Sequence, residues 1–170
     1  MSKKALLALI LLASVSTLRA EDPNQALFVA AASGQVERLD SLLAQGADAN
    51  SKNGSGRTPL MGAAFSGNVR VIKKLLTFGA DPNAVDNRGV TALMEAAAQG
   101  YEEAVKALIA AGADVAVKDG SGLSSTDRAK QSGHIRIAAL LEQALTAKPV
   151  SESTADRDGS AAKKSDTVKK

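Results

Sequence analysis

The nine residues Gly56-Arg57-Thr58-Pro59-Leu60-Met61-Gly62-Ala63-Ala64 return without a gap as Gly89-Val90-Thr91-Ala92-Leu93-Met94-Glu95-Ala96-Ala97, an offset of 33 residues. The same offset joins Gly34, Gly67, Gly100 and Gly133, and also the Gly-Ala-Asp triplets that begin at Gly46, Gly79 and Gly112. A fixed period of this length means one supersecondary unit stacked on copies of itself, because a unit that small cannot bury its own apolar face.

Each unit reads as a turn, a helix, a short loop at the mid-repeat glycine, and a second helix running back. Thr58 and Thr91 stand where a hydroxyl caps the first helix, and Pro59 follows at the first helical position, where its missing N–H costs nothing. Leu60, Ala63 and Ala64, with Leu93, Ala96 and Ala97 in the next copy, set small apolar residues at helical spacing and let neighbouring helices approach closely. Gly67 and Gly100 end that helix, since glycine adopts the left-handed conformation without a side-chain clash. The second helices take their apolar stripes from Val71, Ile72, Leu75 and Leu76 and from Ala104, Val105, Leu108 and Ile109. Gly79 and Gly112 close them, and the segments Asp81 to Gly89 and Asp114 to Gly122 are expected to project as turns or short hairpins.

The Thr-Pro-Leu opening, the mid-repeat glycine, the Leu-Leu pair and the Gly-Ala-Asp-x-Asn close resemble the ankyrin repeat, and the resemblance runs from Pro23 to Gln143. It implies an all-α repeat solenoid of helix-loop-helix units joined by β-turn or hairpin loops. The units fall at about 23–52, 53–85, 86–118 and 119–147, within a domain spanning 21–147. Met61 and Met94 stand where the family usually has His, so the hydrogen bond made there in the family does not carry over.

In the family, partners are held by the hairpin tips and by the exposed face of the first helices, which together form a concave surface. By register this implies tip positions Lys52, Arg57, Asn87, Arg88, Val90 and Lys118, and helix positions Phe65, Ser66 and Gln99. Phe65 stands where the other copies have Ala32 and Ala98, so it is either an anchor for a partner or a ring folded onto the neighbouring hairpin. Arg57 and Arg88, expected on successive tips, would form one basic edge with Lys52 and Lys118, unless these are simply solvated tips.

The flanks differ in kind. Residues 1–20 read as a secretory signal peptide, with Lys3 and Lys4 before the apolar run Ala5 to Ala13 and then a small, polar stretch. Cleavage is expected after Ala20, with Ser16 as the alternative. An apolar run of about nine residues is well short of the ~20 that a spanning helix needs, so no stable membrane insertion is expected after cleavage. The chain has no cysteine, which removes a lipoprotein anchor and disulfide stabilisation alike. The leader and the unadorned chain behind it point to the bacterial periplasm.

Asp22 and Pro23 open a helix, with Gln25 placed to reach back as in a capping box, and this first unit lacks a front hairpin, as an N-terminal cap should. The last unit replaces Thr-Pro-Leu by Ser124-Ser125-Thr126 and carries a polar first helix, as a terminal unit with one wet face should. The tail 148–170, rich in Lys, Ser and Asp, is expected to be disordered.

Charge argues against nucleic acid as a partner. The chain has 21 basic and 18 acidic residues, but three bases lie in the leader and six more in the tail, leaving a repeat region that is slightly acidic. Catalysis finds no foothold either. His134 is the single histidine and follows Gly133, where a structural role in the inter-helix turn is expected. Glu102 and Glu103 open a helix, where acids favour the positive end of its dipole, and the one Asp per repeat at Asp48, Asp81 and Asp114 lacks the oxygen set of a calcium loop. Gly54-Ser55-Gly56 lacks the Lys-Ser or Lys-Thr of a phosphate loop.

The reading is a monomeric, non-enzymatic interaction module without cofactor or metal, holding a protein partner such as an exported stress-defence enzyme, a catalase being one candidate. A periplasmic immunity protein against a toxin, an effector secreted to a host and a plain structural spacer are the alternatives.

Overall fold

The computed structural model describes residues 22–147, so the expectations for the leader and the tail lie outside the described residues. The described chain forms eight helices in four antiparallel pairs: α1 (Pro23–Ala32) with α2 (Val36–Ala44), α3 (Pro59–Phe65) with α4 (Val69–Thr77), α5 (Ala92–Gln99) with α6 (Glu102–Ala110), and α7 (Ser125–Gln131) with α8 (Ile135–Ala147).

The first helix of each later pair starts at the same device. The hydroxyls of Thr58, Thr91 and Ser124 accept the amides of Met61, Met94 and Asp127, and at Ser124 the Asp127 carboxylate returns to the cap amide, completing a capping box. In α1 Asp22 caps by accepting the Asn24 amide, and no return bond from Gln25 is found among the described residues. The two middle ones, α3 and α5, are short and nearly all core: every residue of α3 except Phe65 is buried, and so are the first six of α5.

Gly34, Gly67, Gly100 and Gly133 turn the chain with positive φ of 70°, 69°, 86° and 81°. Three of them are also roofed by the next repeat, since a Cβ would come within 2.8 Å of Asn68 at Gly34, 2.7 Å of the Tyr101 ring at Gly67 and 2.5 Å of the His134 ring at Gly100. Glycine is thus required for conformation and for clearance. His134 is a packing residue between the last two pairs.

The hairpins repeat a second device. Asn53, Asp86 and Asp119 each use one side-chain oxygen to accept the amides two and four residues ahead: Ser55 and Arg57, Arg88 and Val90, Ser121 and Leu123. Backbone bonds then tie tip to tip, from the Asn87 amide to the Ser55 carbonyl at 3.1 Å and from the Gly120 amide to the Arg88 carbonyl at 2.8 Å. A third device is a ladder of side-chain amides. Asn24, Asn50 and Asn83 accept the amides of Asp48, Asp81 and Asp114, while Asn50 and Asn83 also donate to the carbonyls of Gly79 and Gly112.

One apolar core runs the length of the stack, from Leu27 and Leu39 through Leu60, Ile72, Leu75, Leu93 and Leu108 to Ile137 and Leu141. The first helices α1, α3, α5 and α7 pack on one another more closely than the second helices do. The alanines of α1, α3 and α5 permit that approach, and a stack packed more closely on one side curves toward it, which sets the first helices and hairpins on the inner, concave side. Among the described residues no helix is long and apolar enough to cross a membrane.

Candidate partner-binding surface

The concave face is built around a glutamate. Glu95 lies in the run Ala92-Leu93-Met94-Glu95-Ala96-Ala97, on the buried α5, and is only 8% exposed. A buried carboxylate needs a cation, and two supply it. Arg57 Nη2 lies 2.8 Å from Glu95 Oε1, and Arg88 Nη2 lies 3.9 Å from the same oxygen. The Arg57 guanidinium also stacks 5.6 Å from the centroid of the Phe65 ring, a cation–π contact that holds the ring on one side. Phe65 nonetheless remains 46% exposed.

Arg88 is steadied from behind. Its Nε and Nη2 donate to Asp86 Oδ2 at 3.3 Å and 3.2 Å, while Asp86 Oδ1 holds the hairpin amides. Burial pushes the Asp86 carboxyl up, but the Val90 and Arg88 amides and the Arg88 guanidinium together outweigh it and hold the group below its ordinary value. Asp119 repeats the pattern one unit later: burial raises it, and the Leu123 amide, the Arg128 guanidinium and the Ser121 amide bring it below the ordinary range.

Of the residues expected here from register, Phe65, Arg57 and Arg88 come together, although Arg57 sits half-buried at the base of its hairpin instead of on the tip. Lys52 is exposed and bridges tips by donating to the Val85 carbonyl at 3.0 Å. Asn87 is an exposed tip residue whose side-chain amide donates to the Gly54 carbonyl at 3.4 Å. Lys118 is exposed at the last hairpin, paired backbone to backbone with Ser124, and Gln99 is exposed at the end of α5. Ser66 is half-buried, and its hydroxyl donates to the Ala32 carbonyl at 2.6 Å, so it joins α1 to α3.

Val90 is a correction. It is 1% exposed, its side chain is inside, and it cannot meet a partner. At the residue before the α5 cap the side chain turns inward, which an apolar group satisfies directly. Register alone does not point to Glu95 or Asp86, although a single carboxylate among the five apolar residues of that run is itself a signal that a cation lies opposite.

Among the described residues no three His, Cys, Asp or Glu side chains gather as a metal site. The chemistry available on this face is recognition by an aromatic ring and by the outward Arg88 guanidinium. The family model for ankyrin repeats (three copies) matches residues 27–119. The chain belongs to the ankyrin-repeat family. The match stops at Asp119, and the α7/α8 pair lies beyond it. Ankyrin repeats mark a protein–protein interaction module. No curated protein matches the chain.

Proposed function

We propose that this chain is an exported, non-enzymatic interaction module of the bacterial periplasm that holds one protein partner on its concave face. The observation that carries the binding reading is the half-exposed Phe65 ring, clamped by Arg57 beside an outward Arg88. Export rests on the leader pattern of Lys3, Lys4, the apolar run to Ala13 and the small residues before Ala20. The partner proposed is an exported enzyme that the module supports, with a stress-defence enzyme such as a catalase as the candidate, and the module itself acts as a monomer.

The test is a photo-crosslinking residue placed at position 65 or, as a control, at Ile135, which is more open to solvent than Phe65 but begins the second helix of the last pair. The expected result is one dominant adduct from position 65, recovered in the periplasmic fraction, absent from position 135, and containing an exported enzyme. Equal adducts at both positions would end the concave-face reading. Retention of the chain in the cytoplasm would end the export reading, and an adduct with a toxin would replace the helper role by immunity.

A further inference from the structure

We infer that the segment taken by the Phe65 face pairs an apolar side chain with a nearby Asp or Glu. This rests on the concave-face reading and specifies the partner's chemistry. The first support is how charge is sorted around the hairpins. The Asp86 and Glu95 side chains are 2% and 10% exposed, whereas the Arg88 side chain is 69% exposed. Lys52 and Lys118 are exposed as well. A partner approaching these tips therefore meets cations, although the repeat region as a whole has more acids than bases.

The two arginines have different tasks. Arg57 is committed, with Nη2 on Glu95, its plane over Phe65 and its Nε buried without a partner among the described residues, so it positions the ring. Arg88 uses Nε and one Nη2 hydrogen on Asp86. A guanidinium carries five N–H donors, so an outward edge remains for a carboxylate, and Asp86 behind it fixes the direction of that edge. Phe65 is flanked in register by Ala32 and Ala98, which leaves room beside the ring for an apolar side chain. Glu95 Oε1 touches Arg57 and lies near Arg88, so the apolar and anionic subsites adjoin. A nucleic-acid backbone fits less well, since it needs cations that track successive phosphates, and Lys52 is already turned to the Val85 carbonyl.

The experiment selects random twelve-residue peptides displayed on phage against the full chain. The retained peptides are then measured against Phe65→Ala, Arg88→Gln, and Arg70→Gln as an exposed cation on α4. The expected result is enrichment of Asp or Glu within a few positions of Leu, Ile, Met or Phe, with binding weakened by salt. Arg88→Gln should weaken these peptides by about tenfold, the loss of one charge-assisted contact, and Arg70→Gln by less than about twofold. Basic or uncharged peptides that still need Phe65 would overturn the carboxylate while leaving the concave face standing. Peptides indifferent to both Phe65 and Arg88 would overturn both, and so would an empty selection. An oligothymidylate twelve-mer that displaces the peptides and binds more tightly would overturn the inference in favour of nucleic acid. Should Arg88→Gln fail to fold by circular dichroism, Arg88→Lys replaces it, and unchanged affinity there would overturn bidentate recognition.

Discussion

Replacing Asn83 by Ala removes one rung of the ladder that joins successive repeats. Two hydrogen bonds go with the side chain: Oδ1 accepting the Asp114 amide at 2.7 Å, and Nδ2 donating to the Gly112 carbonyl at 3.2 Å. The bond from the Asn83 amide to Asp81 Oδ1 is made by backbone and survives. An intramolecular hydrogen bond contributes a net of about 0.5–1.5 kcal/mol, and this site is exposed, so water can satisfy the abandoned groups. The expected loss is therefore about 1–2 kcal/mol, without a buried-orphan penalty. With a urea slope of about 1–3 kcal/mol/M for a domain of this size, the midpoint should fall by roughly 0.5–1 M.

Ala116 gives the control, because it occupies the same register one unit later, where no further Gly-Ala-Asp turn follows. Ala116→Asn should leave the midpoint unchanged. Amide hydrogen exchange locates the effect: the Asp114 amide should exchange faster in Asn83→Ala, while the Asp81 amide, held by Asn50, should not. An unchanged midpoint, or stabilisation by Ala116→Asn, would show that these amides follow the repeat geometry without holding it.

Three further outcomes follow from the same structure. Thr126 is buried in the register of Leu60 and Leu93, and its hydroxyl has no partner among the described residues, so Thr126→Val should stabilise by about 1 kcal/mol and raise Tm by roughly 3–5 °C; an unchanged Tm would mean the hydroxyl is hydrated. Gly67→Ala places a Cβ at positive φ and 2.7 Å from the Tyr101 ring, whereas Gly133→Ala meets the same φ penalty with open space around it. The first should cost at least about 2 kcal/mol and the second about 1 kcal/mol in urea unfolding, and equal losses would mean that Tyr101 yields freely. Asp119→Asn can keep the Ser121 and Leu123 amides, as Asn53 does in the first hairpin, but loses the charge pair with Arg128. Because the folded carboxyl is held below its ordinary 3.8, its contribution is complete above that pH and disappears as pH falls through the lower folded value. The stability gap between wild type and Asp119→Asn should thus be widest near neutrality and close in acid, and a gap that stays constant from neutral pH down to about 2 would contradict the assignment.

What could be read in the chain divides along a physical line. A left-handed turn, a helix cap and a side-chain-stapled hairpin each demand a particular residue at a particular backbone position. Gly67 and Thr58 therefore announce themselves, and the spacing of such residues carries the architecture, whereas the hairpin staple, Asn53 in one unit and Asp86 in the next, is less uniform. The face assembled across repeats leaves no such imprint. Arg57, Phe65, Arg88 and Glu95 meet through packing between units, and none is spaced from another by the repeat length. Val90 was misplaced for the converse reason: its register was correct, but register does not say which way a side chain points at the foot of a hairpin.

That same register explains why the cluster differs from ordinary surface variation. Arg57 and Val90 occupy equivalent positions, and Val90 shows what the position accepts by itself, an apolar side chain turned inward at 1% exposure. An arginine there is accommodated by a carboxylate in reach and a flat ring for its guanidinium. Glu95 supplies the first where the preceding unit has Gly62, and Phe65 supplies the second where its neighbours have Ala32 and Ala98. Three departures from the repeat thus compensate one another at one place, while Val, Gly and Ala would have packed there without a buried charge. A fold whose local rules otherwise agree breaks them together where something besides stability is being served. The result is an exposed ring, held rigid, beside an outward cation on the concave face.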